Sequence, residues 1–156
     1  MLANCAPKAG RAHSSHLSAP PSQNTIALSW ISEWARSPMP GISIHVVDVS
    51  RGVVANGMRV ELFAVPVDSS PRLIASGNIS KTGTLADPVL NQRFEPGFYD
   101  ARFHIADYYR NSIGATAAVP FLDVVSYRFG LAEPDAHYHL PMKCTPWGYS
   151  CFKGGA

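Results

Sequence analysis

The stretch GISIHVVDV, residues 41–49, decides the class of fold that this sequence predicts. Successive side chains of a β-strand point to opposite faces, so Ser43, His45 and Val47 share one face. The isoleucine and valine that alternate with them face the other side, as in a strand with one buried face. Residues 48–52, which end in glycine, then form a turn.

Short β-rich runs separated by glycine, proline, asparagine and aspartate continue from this strand to the end of the chain. Further strands are predicted at residues 58–67, 73–80, 97–104, 121–129, 137–143 and 149–152. Residues 107–113 form either a short helix or a loop. About seven short strands, with turns about every eight to twelve residues, predict an all-β sandwich.

Residues 1–39 differ in composition from the rest of the chain. They contain Ser18-Ala19-Pro20-Pro21-Ser22, many small residues and few apolar pairs, which favours a flexible N-terminal arm. Within it, TIALSWISEWAR at residues 25–36 forms a short helix, a docking arm or a disordered segment. We therefore divide the chain into an arm, residues 1–39, and a folded domain, residues 40–156.

Composition limits the classes of partner. The 156 residues are 46% hydrophobic and 15% charged, and so sparse a charged surface indicates burial against another subunit. A net charge of +2, with no runs of lysine or arginine, predicts binding neither to nucleic acid nor to an anionic membrane. No stretch approaches the roughly 18 apolar residues of a membrane span, and the N-terminus lacks the apolar core of a secretory signal.

The cysteines are three in number, Cys5, Cys144 and Cys151, and they lack the spacing of a zinc knuckle. We interpret them as reduced thiols of an intracellular protein, with a Cys144–Cys151 disulfide as the alternative. We therefore expect a cytoplasmic location.

Two histidines are the candidates for chemistry. In the sixth predicted strand His137, His139 and Lys143 share a face, and the residues between them point to the core. Imidazole is the side chain best suited to moving protons near neutral pH, so His45 and His139 can activate a water and protonate a leaving nitrogen. Purely structural histidines and zinc binding are the alternatives. No nucleotide, flavin or nicotinamide motif is present, and we expect no cofactor.

Three segments, in this order, carry a family resemblance. IHVVD at residues 44–48, HYHLP at 137–141 and TPWGYS at 145–150 together resemble the 5-hydroxyisourate hydrolases, relatives of transthyretin. The resemblance covers about residues 41–155. It implies a transthyretin-like (prealbumin-like) β-sandwich of seven to eight strands with one short helix. It also implies a homotetramer, a dimer of dimers, whose active sites lie at the dimer–dimer interface and open the ring of 5-hydroxyisourate.

The resemblance maps the family's two site histidines onto His45 and His139. The family's arginine after a turn glycine is replaced here by Thr84, and its C-terminal Tyr-Arg-Gly-Ser by the residues FKGG that begin at Phe152. Losing one charged clamp costs a few kcal/mol of transition-state stabilisation. These departures argue against unchanged hydrolase activity.

Lys143 adds a charge where the family usually has leucine. It is either an ordinary surface lysine or a relocated cation, or amine nucleophile, of the site. The other residues predicted to shape the substrate pocket are His137, Thr84, Ser150, Phe152 and Val47.

Three functions follow from this resemblance. The first is a divergent enzyme with histidine acid/base chemistry on another small cyclic substrate, by ring opening, cyclisation or isomerisation in specialised metabolism. The second is a genuine 5-hydroxyisourate hydrolase of urate degradation, and the third a carrier of the transthyretin type. Arg11 and His16-Leu17 are similar to the family's peroxisomal address with two residues missing, which makes the peroxisome the alternative location.

Overall fold

Two four-stranded β-sheets make up the structure, a computed structural model that describes residues 39–114 and 118–155. The first sheet has the order β2-β1-β7-β8 and the second the order β4-β3-β5-β6. The strands are β1 (Gly41–Asp48), β2 (Val53–Val54), β3 (Arg59–Val65), β4 (Arg72–Asn78), β5 (Gly97–His104), β6 (Val124–Leu131), β7 (His137–Thr145) and β8 (Gly148–Cys151). One 3₁₀ turn (Pro88–Asn91) and one helix, α1 (Ile105–Ile113), complete the described elements. The predicted all-β sandwich with one short helix is confirmed.

Some boundaries differ from the prediction. The strand predicted at residues 121–129 is β6, which begins at Val124 and ends at Leu131. Its start is later because the carbonyl of Asp123 accepts the backbone N–H groups of Ile105 and Ala106 and so caps the first turn of α1. The two-residue strand β2 was not predicted, since two residues give no periodicity. The helix or loop expected at 107–113 is helical and begins two residues earlier.

The strands β1 and β7 pair in parallel, and this pairing positions the candidate site. The register places Ser43 beside His139 and His45 beside Pro141. The alternate residues of β1 and β7 form part of the core between the sheets, with exposed fractions of 5% or less: Ile42, Ile44, Val46, Tyr138, Leu140 and Met142. The predicted assignment of residues to the two faces of both strands is therefore confirmed.

A buried carboxylate joins the end of β1 to the helix. Asp48 is fully buried and accepts hydrogen bonds from the backbone N–H of Ser50 at 3.0 Å and its hydroxyl at 2.6 Å. The hydroxyl of Tyr108 on α1 donates to the same carboxylate at 3.3 Å. These bonds compensate the cost of burying the charge and fix the turn that follows the first strand.

The two cysteines in the described part of the chain, Cys144 and Cys151, are free thiols, so the alternative of a disulfide between them is wrong. Burial raises the pKa of each thiol to about 11. No helix in residues 39–114 or 118–155 is both long and apolar enough to cross a membrane. The features predicted within residues 1–38 lie outside the described residues, so the division into arm and domain stays a prediction.

Replacement of Leu140 tests the core. This side chain is 1% exposed, and we expect Leu140→Ala to lower the free energy of unfolding by about 2–5 kcal/mol because it leaves a cavity. Leu73→Ala is the matched control, since Leu73 is 49% exposed, and it should change the free energy by less than about 1 kcal/mol. Equal losses in denaturant titrations of the two variants would contradict this arrangement of the core.

Candidate functional site

Polar side chains line the outer face of the β1–β7 pair. His137, His139 and Lys143 follow one another along β7, and His45 lies on β1 beside Pro141. From the spacing of strands and residues, the Cα atoms of His45 and His139 are about 8 Å apart. The two imidazoles are thus diagonal neighbours on one face, close enough for a small molecule to contact both.

Ser43 connects two of the histidines. Its hydroxyl oxygen lies 2.8 Å from Nε2 of His137 and 2.9 Å from Nδ1 of His139. The parallel register explains the contact, because it places Ser43 directly opposite His139. No function was predicted for Ser43 from the sequence, where the available signal was only that this residue shares a face with His45.

A loop holds His45 from the other side. Residues 83–85 bind the edge of β1 that faces away from β7: the N–H of Val46 donates to the carbonyl of Gly83 at 2.9 Å, and His45 forms a β-bridge with Thr84. Gly83 has φ of +86°, and a Cβ there would overlap Nε2 and Cδ2 of the His45 ring. Only glycine satisfies both the backbone and the space, so the loop fixes the imidazole of His45.

The C-terminal tail holds His139 in the same way. The N–H of Gly154 donates to the carbonyl of His139 at 2.8 Å, and a Cβ at Gly154 would overlap Cδ2 of the imidazole. Burial lowers the pKa of His139 from its ordinary value of 6.5, and the neighbouring charges of His45 and His137 lower it further. These surroundings therefore favour the neutral form of His139.

Lys143, Ser150 and Phe152 come together at the far end of this face. Lys143 lies opposite Ser150 in the β7–β8 register, and its Nζ is 6.0 Å from the centre of the Phe152 ring. The Lys143 side chain is exposed, and from the strand spacing its Cα lies about 13 Å from that of His139. Val47 is its neighbour on β1.

Lys153 has a separate environment. Its Nζ lies 4.3 Å from the centre of the Tyr138 ring, an arrangement typical of a cation–π contact. Tyr138 is buried on the core face of β7, opposite the face of His139. Although Lys153 takes the place of the family's C-terminal arginine in the sequence, its ammonium is engaged on this ring.

A cavity of about 430 Å³ lies between β1 and the segment that leads into the 3₁₀ turn, and Ser43, the serine between the two histidines of β7, lines it. Its polar lining comes from Ser43, Thr84, Asp87 and Asn91. Thr84 thus contacts both the cavity and the backbone of His45. The cavity volume is sufficient for a small heterocycle.

Within residues 39–114 and 118–155, no group of three or more histidine, cysteine or acidic side chains is placed to hold a metal ion. The zinc alternative therefore has no ligand set there. His104 lies on the other sheet, with its Nε2 at 2.9 Å from the carboxylate of Glu61. The roles of the predicted site residues stay predictions.

Comparisons with known proteins agree with this architecture. Residues 42–154 match the HIUase/Transthyretin family. A 5-hydroxyisourate hydrolase of Deinococcus radiodurans is 38% identical over 115 residues, which cover 74% of this chain and 96% of the relative. Among solved structures, (S)-allantoin synthase matches 82% of this chain and 48% of its own, with a TM-score of 0.68 and 29% identity. A 5-hydroxyisourate hydrolase of Klebsiella pneumoniae shares the fold, with a TM-score of 0.60 and 22% identity over 75% of this chain and 100% of its own.

Gly154→Ala tests the contact of the tail with His139. The added methyl group must displace the imidazole or the tail, so we expect the His139 ring resonances and its titration in NMR spectra to change. Gly155→Ala is the matched control, because nothing lies within 4 Å of a Cβ built at that residue. If both variants left the His139 spectrum unchanged, the tail would not position this ring.

Proposed function

The chain belongs to the HIUase/Transthyretin family, and we propose that it is an enzyme that opens the ring of a small heterocyclic substrate by histidine acid/base chemistry. His45 and His139 are the catalytic residues in this proposal. The observation that carries it is the placement of both imidazoles on one open face, each with a glycine packed against its ring. Fixed imidazoles of this kind can move protons without first paying for reorientation.

The reaction divides between the two rings. His45 acts as the general base that takes a proton from the attacking water, and the water oxygen bonds to a ring carbonyl carbon. His139 acts as the general acid that protonates the ring nitrogen as its bond to that carbon breaks. Because the pKa of His139 is lowered, its neutral ring can donate the Nε2 proton only if a neighbouring group returns a proton to the ring in the same step. Cyclisation or isomerisation of a related ring requires the same two transfers.

The remaining predicted residues shape the substrate pocket. Thr84 borders both His45 and the adjoining cavity, and His137 flanks His139. Val47, Ser150 and Phe152 surround Lys143 at the far end of the face. We propose Lys143 as the cation that compensates for the arginine expected at position 84, since its flexible side chain can extend along the face towards the substrate.

Hydrolysis of 5-hydroxyisourate itself is the second candidate. It is favoured by the 38% identity with a hydrolase of that name over 96% of the relative's length. The substitution of arginine by Thr84 is the reason for placing it second, because threonine offers no charge to a developing oxyanion. The pair of histidines on one face disfavours a carrier without chemistry.

Assembly and location belong to the same proposal. β8 and β6 are edge strands of their sheets, and Trp147, Tyr149 and Phe152 are exposed by 71%, 48% and 41%. Such an apolar edge is commonly covered by another subunit. We propose a homotetramer, a dimer of dimers in which the histidine face lines the interface between dimers, and a cytoplasmic enzyme that binds a small-molecule substrate without nucleic acid or membrane.

The decay of freshly generated 5-hydroxyisourate, followed by ultraviolet absorbance, tests this function. We expect decay faster than in buffer but slower than with the Deinococcus relative, because the charged clamp at position 84 is missing. His139→Ala should remove the acceleration, by about 10²–10⁴-fold for a general acid, whereas His104→Gln on the other sheet should not. Decay as fast as with the relative would favour the second candidate, and decay no faster than in buffer would contradict hydrolysis of this ring.

Lys143 and position 84 can be tested together. If Lys143 supplies the cation, Lys143→Met should lower kcat/KM by at least about tenfold, and Thr84→Arg in the same chain should restore much of the loss. Lys81→Met, in the exposed turn before Thr84, is the charge-matched control. Unchanged turnover by the Lys143→Met variant would show that this lysine is an ordinary surface residue.

A further inference from the structure

We propose that Ser43 is a positioning residue that joins His137 to His139, so that the three side chains form a proton relay that ends at Nε2 of His139. This inference rests on the proposed function, which makes His139 the general acid. It adds a source for the proton and a residue that determines which nitrogen of His139 carries it.

The inference begins from the single hydrogen of the Ser43 hydroxyl group. Ser43 Oγ has one hydrogen, yet it lies at hydrogen-bond distance from one nitrogen of each imidazole, 2.8 Å from His137 and 2.9 Å from His139. It can therefore donate to one ring only, and must accept from the other. The tautomer of a neutral His139 therefore depends on which nitrogen of His137 carries hydrogen.

The relay follows from the orientation in which Ser43 donates to Nδ1 of His139. In that state Nε2 of His139 carries hydrogen and faces the substrate, while Nε2–H of His137 donates to Ser43. When the bond to the leaving nitrogen breaks, His139 gives that nitrogen its Nε2 proton. At the same time Ser43 gives its hydrogen to Nδ1 of His139 and takes the Nε2 proton of His137.

Charge balances along this path. His137 begins as imidazolium and ends neutral with hydrogen on Nδ1. His139 remains neutral and changes tautomer, and Ser43 is unchanged. Without the relay, a neutral His139 that lost its Nε2 proton would become an imidazolate anion, which is far too basic to form near neutral pH. The serine and the second histidine thus remove the principal obstacle to a neutral imidazole acting as the acid.

The surroundings of the two rings agree with this division of charge. Burial and the neighbouring histidines lower the pKa of His139. The titratable or charged groups on the surrounding elements are His45 on β1, Lys143 on β7, Lys153 on the tail, and Asp87, which lines the cavity beside Ser43.

NMR of the unliganded full chain tests the positioning role without substrate. Nitrogen-15 spectra of the imidazoles should show His139 with hydrogen on Nε2 at pH 7. Ser43→Ala should convert His139 to a mixture of tautomers, while Ser43→Thr, which keeps the hydroxyl, should preserve the wild-type state. A wild-type His139 with hydrogen on Nδ1, or an unaltered tautomer in Ser43→Ala, would overturn the inference.

Kinetics test the relay. With 5-hydroxyisourate as the probe, Ser43→Ala and His137→Gln should each lower kcat about 10- to 100-fold with little change in KM, and the double variant should lose no more than either single one. Glutamine can keep the hydrogen bond to Ser43 but cannot supply a proton. In the wild type kcat should fall at high pH, where the relay loses its proton, and this fall should be absent from both variants.

Ser76→Ala, an exposed serine on β4 of the other sheet, serves as the control and should retain wild-type kcat. Additive losses in the double variant, or an unchanged high-pH limb, would contradict the relay. The expected His139 tautomer in a protein that does not turn over 5-hydroxyisourate would contradict hydrolysis of this substrate while supporting the Ser43 positioning. The experiments therefore distinguish a failure of the Ser43 positioning from a failure of the proposed function.

Discussion

The parallel pairing of β1 with β7 is the interaction on which the rest of the structure depends. It joins residues 94–96 positions apart in the sequence and forms the centre of the first sheet. One face of the pair contributes to the core and the other carries the histidines. Because the side-chain period of a strand is two residues, a slip of one position would bring His139 to the core and Leu140 to the surface. The large cost of that exchange keeps the site intact.

Backbone packing gives the site its rigidity. Gly83 lies against the ring of His45 and Gly154 against that of His139, in each case with no space for a Cβ. The glycines come from different parts of the chain, a loop on the edge of β1 and the tail after β8. Neither contact depends on charge, so the orientation of the two rings persists over the pH range in which imidazoles titrate.

The charges around this site differ from those that the family resemblance implies. Thr84 occupies the place beside His45 where the family resemblance implies an arginine. Lys153 occupies the place of the family's C-terminal arginine, and its ammonium packs on the ring of Tyr138. Lys143 provides a cation on the histidine face instead. A common fold with a changed arrangement of charge is how related enzymes come to accept different substrates, since fold alone does not fix function. The family relationship and the altered charge distribution therefore have to be considered together.

The sequence by itself determined the fold class, most of the strands and the faces on which their residues lie. Those features are local. The alternation of apolar and polar residues predicts which side chains of a strand are buried, whichever strand pairs with it, as in GISIHVVDV and HYHLPMK. Through the family resemblance it also predicted His45 and His139 as the site histidines, a prediction that the proposed experiments test. It could not predict β2, or that Asp123 would cap α1 and delay the start of β6.

Only the tertiary structure decided that Ser43 bridges two histidines, that Gly154 packs on His139 and that Lys153 packs on Tyr138. The bridge depends on the register between two strands that are distant in the sequence. The packing of Gly154 depends on the path that the tail follows over that sheet. Burial is encoded residue by residue, but the meeting of specific polar atoms is fixed only when those distant segments pair.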